Sequence, residues 1–130
     1  DTSNCGSCGT ACVYANGVAS CVSGACFLAT CNSGFANCDG LTSNGCEINT
    51  DTDVYNCGSC GFVCGPYSNA TAGCTGGACV IASCASGTGF SDCDGVVSNG
   101  CETNTRTDGN NCGFCGNVCP SGHCTMGVCH

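Results

Sequence analysis

Residues 111–130 read NCGFCGNVCPSGHCTMGVCH and carry five cysteines. The same opening occurs twice earlier, as NCGSCG at 4–9 and again at 56–61, and there the cysteines run on to eight. The first copy holds Cys5, Cys8, Cys12, Cys21, Cys26, Cys31, Cys38 and Cys46. The second holds Cys57, Cys60, Cys64, Cys74, Cys79, Cys84, Cys93 and Cys101. The third stops at Cys112, Cys115, Cys119, Cys124 and Cys129. A second shared text, CDG-x3-NGCE, at 38–47 and 93–102, fixes the alignment. Self-similarity at such a period marks a repeat architecture, with repeats at 1–50 and 51–105 and a truncated repeat at 106–130. Length differences between the first two copies fall between the third and fourth cysteines and between the sixth and seventh, so those intervals are loops.

The composition says what holds such a chain together. Cysteine and glycine supply 21 and 22 of the 130 residues, there is no Trp, and the apolar runs are as short as Val80-Ile81-Ala82 and Phe27-Leu28-Ala29. A core built from those pieces is thin, and small units with thin cores need covalent staples. Cysteine at this density signals a disulfide scaffold made in an oxidising compartment, each bond contributing about 2–4 kcal/mol. The sequence starts at Asp1 with neither Met nor a signal segment, as a processed secreted chain would. No stretch is long and apolar enough to span a membrane. Net charge is −8, and Arg106 is the only Lys or Arg. Nucleic acids and anionic lipid surfaces are bound through clustered basic side chains, so the charge argues strongly against both as partners, and no nucleic acid and no membrane insertion are expected.

Local signals are turns and short strands. CVSGAC at 21–26, CTGGAC at 74–79 and CTMGVC at 124–129 each place Gly between short β-compatible flanks and predict tight hairpins. No window shows a capped helical period. The predicted fold is therefore small and disulfide-rich, tandem repeats of short β-hairpins and loops with little or no helix. The Thr-rich stretches at 47–53 and 102–108 read as connectors.

With those residues in place, DGNNCGFCGNVCPSGHCTMGVC at 108–129 resembles the closing segment of the plant stigma-specific protein family, and is similar to cysteine-rich repeats of secreted bacterial surface proteins. The resemblance covers about twenty residues of the third copy; the first two copies depart from the plant pattern in their long third-to-fourth intervals and their CDG…NGCE loops. It implies secretion, disulfides and a non-enzymatic role at the cell surface.

Twenty-one cysteines leave at least one without an intrachain partner. Two pairing rules survive counting. In one, the eighth cysteine bonds the first of the next repeat (Cys46 to Cys57, Cys101 to Cys112), the sixth bonds the seventh, and the second to fifth form two bonds. Cys5 is then unpaired or free for an interchain bond, and the other twenty cysteines are all bonded. In the other, the seventh bonds the eighth, the first six form three bonds, and the orphan lies in the third copy. Either way the odd thiol falls in a terminal repeat.

Candidate chemistry is sparse. Cys-x2-Cys-x3-Cys occurs in all three copies and invites a metal-thiolate reading, which a lattice able to pair in full outweighs. Asp39, Asn44 and Glu47, with their counterparts Asp94, Asn99 and Glu102, cluster oxygen donors of the kind calcium takes. The same Asp-Gly and Asn-Gly pairs are also ordinary turn residues, and this reading comes first: no cofactor is expected, with calcium as the one candidate. His123 and His130 have no arranged catalytic partner, no nucleophile motif occurs, and no enzyme is expected. Asn69-Ala-Thr71 is the one N-glycosylation sequon, and the Thr-rich connectors could carry O-glycans. The expectation is a secreted, non-catalytic structural protein of the extracellular matrix or cell surface. It would be self-assembling into filaments or adhesive, with copies of itself as partner. The alternative is a monomeric signalling ligand or receptor-binding module.

Overall fold

A computed structural model describes all 130 residues. Ten short strands form five two-stranded sheets, and helix is limited to two three-residue 3-10 turns, Thr42–Asn44 and Val97–Asn99. The fold is the expected one: disulfide-rich, with short antiparallel β-hairpins and almost no helix. Strands β1 (Gly17–Val22) and β2 (Ala25–Cys31) make the long hairpin of the first repeat, and β5 (Ala70–Thr75) pairs with β6 (Ala78–Cys84) in the second. In the third repeat the hairpin is reduced to β9 (Cys124–Thr125) and β10 (Val128–Cys129). The turns are Ser23-Gly24, Gly76-Gly77 and Met126-Gly127, with φ of 50° and 77°, 58° and 75°, and 52° and 79°. Two successive positive φ values match the right-handed twist of the flanking strands. Each full repeat adds a smaller antiparallel pair: β3 (Phe35–Ala36) with β4 (Ile48–Asn49), and β7 (Phe90–Ser91) with β8 (Thr103–Asn104). These pairs bracket the CDG…NGCE loops.

The interior is sulfur. Apart from glycine, the buried residues are Cys5, Cys12, Cys46, Cys57, Cys64, Cys74, Cys101, Cys112 and Cys119 with Thr50 and Thr105, while Phe27, Phe62, Phe114 and Met126 are exposed. The ten disulfides follow one rule. Within a repeat the first cysteine bonds the fourth and the third bonds the fifth: Cys5–Cys21, Cys12–Cys26, Cys57–Cys74, Cys64–Cys79, Cys112–Cys124 and Cys119–Cys129. The sixth bonds the eighth, Cys31–Cys46 and Cys84–Cys101. The seventh crosses to the second cysteine of the following repeat, Cys38–Cys60 and Cys93–Cys115.

Both pairing rules drawn from the sequence are thereby corrected. Cys5 is not the odd thiol; it is buried and bonded to Cys21. Cys8, expected to be bonded, is the free and exposed cysteine. Two local contacts explain why. Cys21 and Cys26 face each other across the β1–β2 register, so each turns to a different cysteine of the opening loop, Cys5 and Cys12. The Cys46 N–H donates to the Ala15 carbonyl at 2.8 Å, at the base of the hairpin where Cys31 ends β2. That seats the eighth cysteine against the sixth and leaves the seventh to reach outward.

By contact density the chain forms two compact units, Asp1–Val63 with Cys74–Ala78, and Cys64–Gly73 with Cys79–His130. Each unit spans parts of adjoining repeats, because the inter-repeat disulfides Cys38–Cys60 and Cys93–Cys115 each lie inside one unit.

Candidate functional site: the repeat junction

The junction begins with the opening loop, built alike three times. Asp1, Asp53 and Asp108 each accept, at 2.8 Å, the backbone N–H two residues on, from Ser3, Tyr55 and Asn110. The Asn three residues on in each copy donates Nδ2 to the same carboxylate: Asn4 to Asp1, Asn56 to Asp53, Asn111 to Asp108. Its Oδ1 then accepts from the Gly after the second cysteine, at 2.9 Å for Gly9 and 2.8 Å for Gly61 and Gly116. The first cysteine closes the loop, Cys5 N–H to Thr10, Cys57 N–H to Phe62 and Cys112 N–H to Asn117, at 2.7–2.8 Å. An Asp–Asn pair thus clamps the turn that carries Cys8, Cys60 or Cys115. Within this frame Asp108 titrates below the ordinary carboxylate range, chiefly through the Asn110 N–H and then the Asn111 side chain.

The other half of the junction is the CDG…NGCE loop. Asp39 accepts from the Leu41 N–H at 2.8 Å and Asn44 Nδ2 at 2.6 Å, and Glu47 Oε1 accepts from the N–H groups of Cys38 and Asp39. The second copy repeats this with Asp94, Val96, Asn99, Glu102 and Cys93. The carboxylates therefore hold the bridging cysteine by its own backbone. The Val96 N–H, then Asn99, holds Asp94 below its usual pKa; Glu102 is lowered by its own backbone N–H and that of Cys93. Gly45 and Gly100 close these loops at φ 75° and 74°. Each packs against backbone, Ala15 and Ser68 respectively, with no room for a β-carbon.

Those bonds bear on the calcium candidates. Asp92, Asp94 and Glu102 bring carboxylate oxygens within 4.8 Å of one another. Asp94 is engaged by Val96 and Asn99, and Glu102 by Cys93 and Thr103. In the first repeat Asn37 replaces Asp92, and Glu47 Oε2 is buried without a hydrogen-bond partner. Within each set only Asp39 with Asn44 and Asp94 with Asn99 bind one another, and Oε1 of each Glu is taken up by the turn itself, through backbone N–H groups and, for Glu102, Thr103. The clustered sulfurs of Cys5, Cys12 and Cys26 belong to two disulfides and offer no thiolate.

The connector between the two halves seats each repeat on the next. The buried Thr50 donates its N–H to Gly34 and accepts from the Gly58 N–H at 2.8 Å; Thr105 does the same with Gly89 and Gly113. The fourth cysteines, Cys74 and Cys124, contact the same Thr carbonyls through Sγ at 3.5 and 3.6 Å. Thr50 and Thr105 are junction positions that read as connector in the sequence; their shared place in EINT and ETNT was the available signal.

Asn69 proves to be structural as well as part of a sequon. At φ 51° it donates Nδ2 to the Cys101 carbonyl at 3.3 Å, as Asn16 at φ 51° does to Cys46 at 3.2 Å. His123 and His130 are both exposed, joined only through their backbones. No helix is long and apolar enough to cross a membrane. No family model, curated protein or solved structure matches the chain.

Proposed function

We propose that this is a secreted, non-catalytic structural protein of the extracellular matrix or cell surface, assembling with itself head to tail or serving as an adhesive subunit. One observation carries the reading: each repeat is stitched to the next by a disulfide and seated by a buried Thr. A chain linked in this way resists extension and proteolytic opening, because pulling repeats apart strains a covalent bond rather than a thin interface. Ten disulfides fit an oxidising, extracellular setting. Identical repeat faces stacked by a rotation that does not close give filaments. Growth by non-covalent contact is required, because one free thiol per chain closes at most one interchain bond.

Electron microscopy and sedimentation of the native protein, with and without iodoacetamide, test the reading. Filaments that persist after alkylation support it. Monodisperse particles that bind a receptor ectodomain instead would favour a signalling ligand.

A further inference from the structure

The seventh-to-second linkage occurs twice, over the same sequence separation of 22 residues in both cases. Cys8 occupies the second-cysteine position of the first repeat and is free and exposed, in a loop clamped like those of Cys60 and Cys115. A second difference falls in the same loop. Gly58 and Gly113 donate their N–H groups to Thr50 and Thr105 of the preceding repeat, whereas the Gly6 N–H has no hydrogen-bond partner in the chain. The fourth cysteines agree with this: Cys74 and Cys124 contact the Thr50 and Thr105 carbonyls through Sγ, while Cys21 has no such contact.

We propose that the Cys8 loop is an acceptor for a further repeat. The loop cysteine of another CDG…NGCE segment closes a disulfide on Cys8, and the Thr of its following Glu-x-Asn-Thr stretch gives its carbonyl to the Gly6 N–H. Two finished copies of this chain cannot be joined in this way, because Cys38 and Cys93 are both already bonded. The partner is a repeat whose seventh cysteine is still a thiol. Bond closure oxidises two thiols and needs a disulfide as oxidant, for which oxidised glutathione serves. The donor thiolate displaces one glutathione thiolate, and Cys8 then displaces the second. One disulfide is formed, one is reduced, and the two thiol protons end on two glutathione molecules. The inference rests on the linkage rule and stands or falls apart from self-assembly.

The test duplicates residues 1–52 directly ahead of Asp1. Asp53 and Asp1 begin equivalent opening loops, so the added Cys38 lies the same 22 residues before Cys8 as Cys38 lies before Cys60. After folding in a glutathione buffer, alkylation and non-reducing peptide mapping should find one free thiol, in the added copy's Cys8 position, and native Cys8 bonded to the added Cys38. Gly6 amide exchange should slow to the rate of Gly58. Cys8→Ser in the native position should raise the count to two thiols, with Cys93–Cys115 retained as the sign of correct folding. A trans arm mixes the unextended protein with a Cys8→Ser/Cys60→Ser variant, whose Cys38 is freed. A Cys8–Cys38 heterodimer there assigns the partner to a separate chain, and its absence beside a bonded tandem assigns it to the same chain. Native Cys8 and the added Cys38 both alkylated in a tandem that keeps Cys93–Cys115 would overturn the proposal, as would a Cys8 bond that leaves Gly6 unprotected.

Discussion

Replacing both members of the Cys38–Cys60 bridge by serine separates two accounts of why these disulfides stabilise the chain. Cys38–Cys60 is the one bridge that crosses the connector between Cys46 and Cys57, so no other bond shortens its loop. For a separation of 22 residues, the chain-entropy relation gives about 3.4 kcal/mol at 25 °C. Cys60 is exposed and Cys38 half-buried, so their removal opens little space and strands no buried hydroxyl. Cys31–Cys46 closes a shorter loop, of separation 15, worth about 3.0 kcal/mol by the same relation. Cys46, however, is wholly buried, and a serine left there without a partner adds about 1–3 kcal/mol. The expected order is therefore reversed from loop length: about 3 kcal/mol lost for Cys38→Ser/Cys60→Ser, and about 4–6 kcal/mol for Cys31→Ser/Cys46→Ser. Non-reducing guanidinium unfolding, read by linear extrapolation with a Cys8→Ser reference, measures both. A junction variant within about 0.5 kcal/mol of the reference, or one that loses more than the buried pair, would refute the reasoning.

Other outcomes follow from single contacts. Gly45→Ala should cost about 1–3 kcal/mol or more, because the new β-carbon meets the Ala15 backbone. Gly40→Ala, at φ 76° in open space, should cost about 1 kcal/mol; equal losses in thermal melts would show that close packing is irrelevant there. The lowered pKa values of Asp94, Glu102 and Asp108 set a pH dependence. A carboxyl whose folded pKa lies below its unfolded one stabilises the fold above the unfolded value and loses that contribution as pH falls through the folded one. The melting temperature should accordingly hold at neutral pH and decline below about pH 4, with a shallower decline in Asp94→Asn; a rising midpoint on acidification contradicts the assignment. Asn16→Ala should lose about 2–3 kcal/mol, through its hydrogen bond to Cys46 and the left-handed backbone at φ 51° that alanine disfavours. Asn69→Gln in protein from a glycosylating host should lower intact mass by any glycan carried, and unglycosylated Asn69→Ala should match the loss at Asn16 in chemical melts.

The hairpins were legible because their cause is local. Ser23-Gly24, Gly76-Gly77 and Met126-Gly127 take left-handed conformations that a two-residue turn demands, and the flanking cysteines show where strands end. The CDG…NGCE loops were legible for the same reason: Asp39 and Asn44 bond within five residues of each other. Thr50 was not legible. Its value lies in a carbonyl that meets Gly58 of the next repeat and in burial that only the assembled junction creates.

The sequence by itself determined the repeat, the hairpins, the near absence of helix, the dependence on disulfides and the presence of an odd thiol, because spacing, turn residues and parity are properties of the chain in one dimension. Only the tertiary structure decided which sulfurs meet. Bonded pairs bring their Cα atoms to 5.3–5.8 Å, and no count along the chain supplies that proximity. It comes from the Cys46 N–H on Ala15, from Cys21 and Cys26 side by side across a hairpin, and from a carboxylate that turns Cys38 toward its neighbour. The unpaired sulfur moved accordingly from Cys5, which the hairpin buries, to Cys8, which the opening loop holds in the open.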